Sequence, residues 1–300
     1  MGREESEGPS GEPGKDYIAI DTAELERLAG EEGVIAIVKV APLKVQTRVA
    51  KAAHHLQRAI HLEGVDDEMG AIRLIAAEEE LVVAIFEWLK LNSEHFPEHR
   101  DFVAKQKNHL VKLAFTPVLG QMAVVFEDFL RHGIAPTGLE GFASWQIKPG
   151  VKGGRVVLQL FAEDEKHLID INPLDVSISV DDEHDDSVVA SLYREFLERL
   201  PDTGGNRVKR FVTERADYRN KLLYAEDGQS YSMAETLGEV RMVVERDLKR
   251  LLWCLAALLT NRPLAMSWGS VSQFLALYRR VLTDAKVLSP SKPESDSSLT

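Results

Sequence analysis

Along most of the chain, apolar residues recur every three or four positions, the spacing of helices with one buried face. Over 43–62, Val49, Ala52, Ala53, Leu56 and Ile60 form such a stripe, and Gly64 is placed to end the helix. Asp66 or Asp67 then opens a helix over 68–91, and a third helix is predicted over 98–116. Pro117 kinks or ends that helix, and PVLGQMAVVFEDFLRHG continues helically to Gly133. Upstream, YIAI (17–20) and VIAIVKV (34–40) read as short strands around a small helix, DTAELERLAG, capped by Asp21 or Thr22.

The period changes over 139–180. LEGFASWQIKPG, GRVVLQLFA and HLIDI are short, rich in β-branched and aromatic residues, and separated by Gly and Pro. VSISV alternates, placing Val176, Ile178 and Val180 on one face. These segments predict an antiparallel meander of three or four strands. Helical spacing then returns in SVVASLYREFLERLP, with Asp185 or Asp186 as its cap, and in the basic segment 206–224. SMAE at 232–235 reads as a capping box opening a helix to about 260, and SVSQFLALYRRVL forms a last helix. The order implies an α+β fold: a helical bundle over 16–137, a small antiparallel sheet over 138–182 and C-terminal helices over 183–287. The tails 1–15 and 288–300 have too few apolar residues to offset the entropy of ordering them.

Composition narrows the function classes. At 300 residues and 44% apolar, the chain can bury a sizeable core. A net charge of −12 argues against a generally basic coat for nucleic acid or membrane, though a local basic patch remains open. The single cysteine, Cys254, rules out an internal disulfide and a multi-cysteine zinc site, and suits a reducing cytoplasm. MGREESEGPSGEPGK lacks the basic start and apolar stretch of a secretory signal. The apolar run LLWCLAALL at 251–259 is shorter than the roughly 18–20 residues of a membrane span. A cytoplasmic protein without membrane contact is expected.

Candidate chemistry concentrates in RLIAAEEELVVAIFEWLK, residues 73–90. On a helix, Ile72, Ile75, Glu79, Val82, Phe86 and Leu89 share one stripe, and Leu74, Glu78, Leu81, Ile85 and Trp88 an adjacent one. Glu80 falls with Ala76, Ala77, Ala84 and Glu87, nearest to solvent. A buried carboxylate needs a partner or gives up its charge. The next helix offers Lys105, His109 and Lys112 at i, i+4 and i+7, beside Phe102, Gln106 and Leu113. An antiparallel hairpin would bring these cations to Glu78 and Glu79. The result is a structural ion pair that sets helix register, or an acid/base or ligand site. The Glu-x-x-His repeats of metal-binding bundles are absent, so neither metal nor cofactor is expected.

The run AKAAHHLQRAIHLEGVDDEMGAIRLIAAEEELVVAIFEWLK, followed by KNHLVKLAF, resembles the AbiV-type abortive-infection proteins among the helical HEPN-like domains. The likeness covers about 50–115. It consists of an alanine-rich helix, a short Gly-containing loop, paired glutamates after alanine, and a later His and Lys at His109 and Lys112. In this chain EEE is followed by LVV, where the family would have EE, a small residue and lysine. HEPN ribonucleases resemble one another in an Arg and a His separated by four to six residues. Arg48 and His54, separated by VAKAA, satisfy that spacing. The resemblance implies metal-independent RNA cleavage, with the histidine activating a 2′-hydroxyl and the arginine stabilising phosphate charge. A plain alternative is that Arg48, Lys51, His55, Arg58 and His61 are the solvated face of their helix.

A second constellation is basic. Arg207, Lys209, Arg210, Arg215, Arg219 and Lys221 lie among Phe211, Tyr218 and Tyr224, a composition that can grip RNA or a phosphate. Arg210 with Glu214, and Asp217 with Lys221, are equally spaced for ordinary surface pairs. DDEHDD at 181–186 lacks the alternating ligands of a calcium loop, and TGG (203–205) and KGG (152–154) read as turns. Two functions therefore stand. One is a non-enzymatic interaction protein of abortive-infection or phage-defence type, forming a homodimer or receiving a partner protein. The other is a HEPN-like ribonuclease or RNA-binding protein.

Overall fold

A computed structural model describes residues 21–134, 145–162, 165–176, 185–201, 206–224, 233, 235–264 and 268–289. Helix α2 (Leu43–Leu62) buries Val45, Val49, Ala52, Ala53, Leu56 and Ala59, the predicted stripe. The chain leaves it through Gly64 at φ 74, a left-handed conformation that costs glycine nothing. Asp66 caps the next helix by accepting from the Met69 amide. That helix, α3 (Asp67–Leu91), is the centre of the molecule. It packs against α2, α5 (His109–Ile134), α7 (Arg207–Leu223) and α8 (Leu237–Thr260). Neighbours on every side explain why its sequence is apolar almost all the way round.

Two expectations fail in this half, and one of the two alternatives for Pro117 is excluded. VIAIVKV is not a strand: it completes α1 (Ala23–Val40), which breaks only at Gly30. Val34 and Ile37 are buried at helical spacing, and the helix packs on α8 and α2, so tertiary packing overrides the β preference of that run. YIAI lies outside the described residues. The single helix over 98–116 is also absent. Its place is taken by 3-10 turns at Ser93–His95 and Pro97–His99, a four-residue helix α4 (Arg100–Val103), and a turn before α5. The Asn108 side chain accepts from the Leu110 amide, which sets the start of α5. Finally, Pro117 lies within α5 and does not end it. Over His109–Asp128, α5 is long and apolar enough to cross a membrane, with mean hydropathy 1.4. Here it buries Val111, Leu113, Ala114, Phe115 and Val118 against the other helices.

The sheet is the predicted meander, with β1 (Trp145–Lys152), β2 (Arg155–Ala162) and β3 (His167–Ile171) antiparallel in that order. KGG supplies the first turn, where Gly153 and Gly154 both have positive φ, as a tight hairpin with right-handed strand twist requires. Residues 177–180 of VSISV, most of DDEHDD, and TGG lie outside the described residues. The sheet is fastened to the end of α8: Thr260 Oγ1 accepts from the Val156 amide, and Asn261 Nδ2 donates to the Val156 carbonyl.

Helix α6 (Asp185–Glu198) follows, then α7, α8 and α9 (Gly269–Asp284). The capping box of α8 is Thr236 with Glu239, not SMAE, so the helix starts one turn later. One apolar core runs from Leu25 in α1 to Leu288 beyond α9 and joins both helical regions. The fold is α+β, with helices at both ends and a small sheet between.

Candidate functional site

Three consecutive glutamates on α3 meet three different surroundings. Glu79, 8% exposed, accepts from Lys112 Nζ at 2.6 Å and faces His109 Nδ1 at 3.2 Å. Both partners are those the spacing predicts. A third cation comes from α7, where Arg219 Nε lies 3.6 Å from Glu79 Oε1. Lys105 is not part of the cluster. It is exposed in the turn before α5 and pairs with no acid among the described residues, because the helical stripe begins only at His109.

Glu78 is more deeply placed, at 1% exposure. Arg215 Nη1 stands 3.6 Å from its Oε2, and neither oxygen completes a hydrogen bond. The Thr116 hydroxyl favours the carboxylate without completing a hydrogen bond to it. Burial pushes the Glu78 carboxyl above its ordinary range, reinforced by Asp247 and Glu79 and opposed by Arg215 and Thr116. Arg215 instead donates through Nη2 to Asp247 Oδ2 at 2.8 Å. Asp247 also accepts from Arg250 Nη1 at 3.2 Å and faces Arg246 Nε at 3.6 Å. Ile75, Leu113 and Ala216 make a small apolar cluster joining α3, α5 and α7.

The network opens into a cleft of 670 Å³ between α5, α7 and α8. Thr116, Arg215 and Asp247 are its most buried polar members, and Val124, Phe211, Val240 and Val243 give it apolar walls. Arg250 crosses close over α5, where a Cβ on Gly120 would lie 3.3 Å from its Nη1. Glu214, Glu235 and Glu239 are exposed around the cleft. Glu239 is already engaged by the Thr236 amide.

The basic segment is therefore divided. Arg215 and Arg219 turn inward to Asp247, Glu78 and Glu79. Lys209 and Arg210 are exposed, and Arg207 and Arg210 line an adjoining recess of 390 Å³ that shares Phe211, Glu214 and Tyr218 with the cleft. Arg48 Nη1 donates to Glu80 Oε2 at 2.9 Å, while His54 is exposed. Six positions on a helix set these two side chains roughly 120° apart around its axis.

Ser272, His99 and Glu98 also meet, without forming a nucleophilic triad. Both Ser272 Oγ (3.4 Å) and Glu98 Oε1 (3.4 Å) address His99 Nε2, and the buried Nδ1 has no partner among the described residues. A triad needs the carboxylate on Nδ1 to orient the base. Among the described residues, no cluster of three or more His, Cys, Asp or Glu side chains is placed to hold a metal ion. Burial pushes the Cys254 thiol up to about 12, so it stays protonated.

Asp247, Thr116 and Arg250 are the members that sequence reasoning missed. Asp247 carried a readable signal: it shares the helical stripe of Val240, Val244 and Leu251, as the glutamates share theirs. Comparison with protein families, curated proteins and solved structures finds no match.

Proposed function

We propose that the chain is a non-enzymatic interaction protein that receives, in the cleft between α5, α7 and α8, one carboxylate presented by a partner protein. The supporting observation is the convergence of three guanidiniums, Arg215, Arg246 and Arg250, on the single carboxylate of Asp247. Burial drives Glu78, the other acid beside Arg215, toward its neutral form. Around Asp247, positive charge therefore exceeds negative. Guanidinium forks with unused N–H groups suit a planar carboxylate, and the apolar walls supply contact area.

The exposed Glu214, Glu235 and Glu239 discriminate among anions. A run of phosphates would meet them in repulsion, whereas a lone carboxylate flanked by donors would not. The alternative, RNA cleavage by Arg48 and His54, rests on their spacing, and Arg48 is already held by Glu80. A phage-defence role rests on the run 50–115 and is compatible with a protein partner.

Isothermal titration with acetyl-Lys-Glu-Lys-amide, its Gln counterpart and oligouridylate tests the reading. The Glu peptide should bind, and Arg250→Gln should weaken it by at least about tenfold, the scale of losing one charge-assisted contact. RNA cleavage in EDTA that Arg48→Ala abolishes would overturn the proposal, as would peptide affinity indifferent to Arg250.

A further inference from the structure

We infer a second binding site, for a neutral aliphatic chain, in the apolar cavity of 310 Å³ between α5, the sheet, α8 and α9. It is separate from the cleft. Helix α5 turns Phe115, Leu119, Met122 and Phe126 to this cavity, and Thr116, Gly120 and Gln121 to the other. The inference therefore stands whether or not the cleft binds a carboxylate.

Three observations define the occupant. No Asp, Glu, Lys, Arg or His lines the cavity, so a charged group inside would lose its hydration without a counter-ion. The Trp253 indole N–H in its wall is buried and meets no acceptor among the described residues, whereas the Ser270 hydroxyl is already used by the Leu174 carbonyl. The wall therefore offers few polar contacts, Gln273 among them, and none that is charged. The walls come from α3, α5, α6, α8, α9, β1 and β2, which border the space on several sides and leave it open to solvent on another. A helix, roughly 10 Å across with its side chains, is too thick for such a volume, but an extended hydrocarbon chain is not. Native interiors pack to crystal-like density, and apolar space in the range of about 300–1,000 Å³ is characteristic of ligand pockets. Leu, Val, Met and Ala side chains outnumber aromatic rings in the walls, which suits a flexible chain better than a flat ring.

The test uses the full chain, delipidated, with methyl decanoate, decanoate and undecane as probes, read by thermal shift and by tryptophan fluorescence. Methyl decanoate should raise Tm saturably, and decanoate should bind at least about tenfold more weakly for want of a counter-ion. Met122→Trp, which fills the cavity, should abolish the shift. Ala123→Leu, at an exposed position lining the same cavity, should weaken it and guards against misfolding of the first variant. Phosphatidylcholine vesicles that compete with methyl decanoate would assign the chain to a membrane lipid, and no competition would assign it to a free neutral molecule. The proposal is overturned if no probe saturates, if decanoate binds as well as its ester, or if Met122→Trp leaves the shift intact. A change of oligomeric state in Met122→Trp without probe binding would also overturn it, in favour of an interface between copies.

Discussion

Neutralising Glu78 and Glu79 one at a time should have very unequal consequences, although the two are adjacent on one helix. Glu79→Gln removes the negative charge 2.6 Å from Lys112 Nζ and leaves that ammonium, 12% exposed, without its counter-ion. Breaking a buried pair from one side costs about 3–5 kcal/mol. His109 is 59% exposed and retains access to water, so the lower end of that range is expected. Glu78→Gln replaces a carboxyl that burial already drives toward its neutral form. Arg215 keeps Asp247 as its partner, so the cost should stay below about 1 kcal/mol.

The pH dependence separates the cases further. A carboxyl whose folded pKa is raised above its ordinary 4.5 contributes stability below that value, and loses it as pH rises through the folded pKa. Glutamine does not titrate. Glu78→Gln should therefore gain on the parent chain as pH rises, until it equals or exceeds it. Urea unfolding at acid, neutral and alkaline pH, compared at constant m, measures both variants. If Glu78→Gln costs as much as Glu79→Gln at neutral pH, Glu78 is a charged counter-ion of Arg215 and the reasoning fails.

Two further outcomes follow from packing and burial. Gly70→Ala would set a Cβ 2.4 Å from Cδ2 of the buried Leu237, an overpacking cost of about 1–3 kcal/mol that the helix preference for alanine only partly offsets; a lower Tm is expected, and an unchanged one would mean Leu237 repacks freely. Burial, with Arg279 assisting and Glu98 opposing, holds the His99 imidazole below its ordinary 6.5. Its contribution is whole above pH 6.5 and is lost as pH falls through the lower folded value. His99→Gln should flatten that acid loss in melts followed by circular dichroism.

Much of α2 and α3 was legible because their ends carry local chemistry: Gly64 needs positive φ, and Asp66 reaches the Met69 amide. His109 and Lys112 were legible for the same reason, being positions on a helical stripe. Lys105 was not, because the start of α5 depends on Asn108 rather than on apolar period. SMAE and TLGE both satisfy a capping box, and only the adopted helix start at Leu237 separates them. VIAIVKV reads as a strand until α8 is known to lie against it. The inward turn of Arg215 and Arg219 had no local signal at all. It follows from α7 packing beside α3 and α5, a contact made across more than a hundred residues of chain.

The glutamate triplet ties these contacts together. Successive residues on a helix turn by roughly 100°, so three in a row sweep about 200° of its circumference. On a helix packed on every side, each therefore meets a different neighbour: Glu80 meets Arg48 of α2, Glu79 meets Lys112 of α5, and Glu78 meets Arg215 of α7. Apolar faces alone are nearly interchangeable, and a helix with several of them can rotate at small cost. Polar contacts of different kinds on three sides remove that freedom, since rotation by one residue would leave buried charges unpaired. The same lock sets Arg215 and Asp247 at the base of the cleft, so its charge and the register of α3 are one feature. Substitution at Arg215 or Asp247 should therefore disturb the fold together with the proposed binding. Arg246 and Arg250, 60% and 35% exposed, face the cleft from the other side of Asp247. Those two positions are where the proposed recognition should change while the helices stay locked.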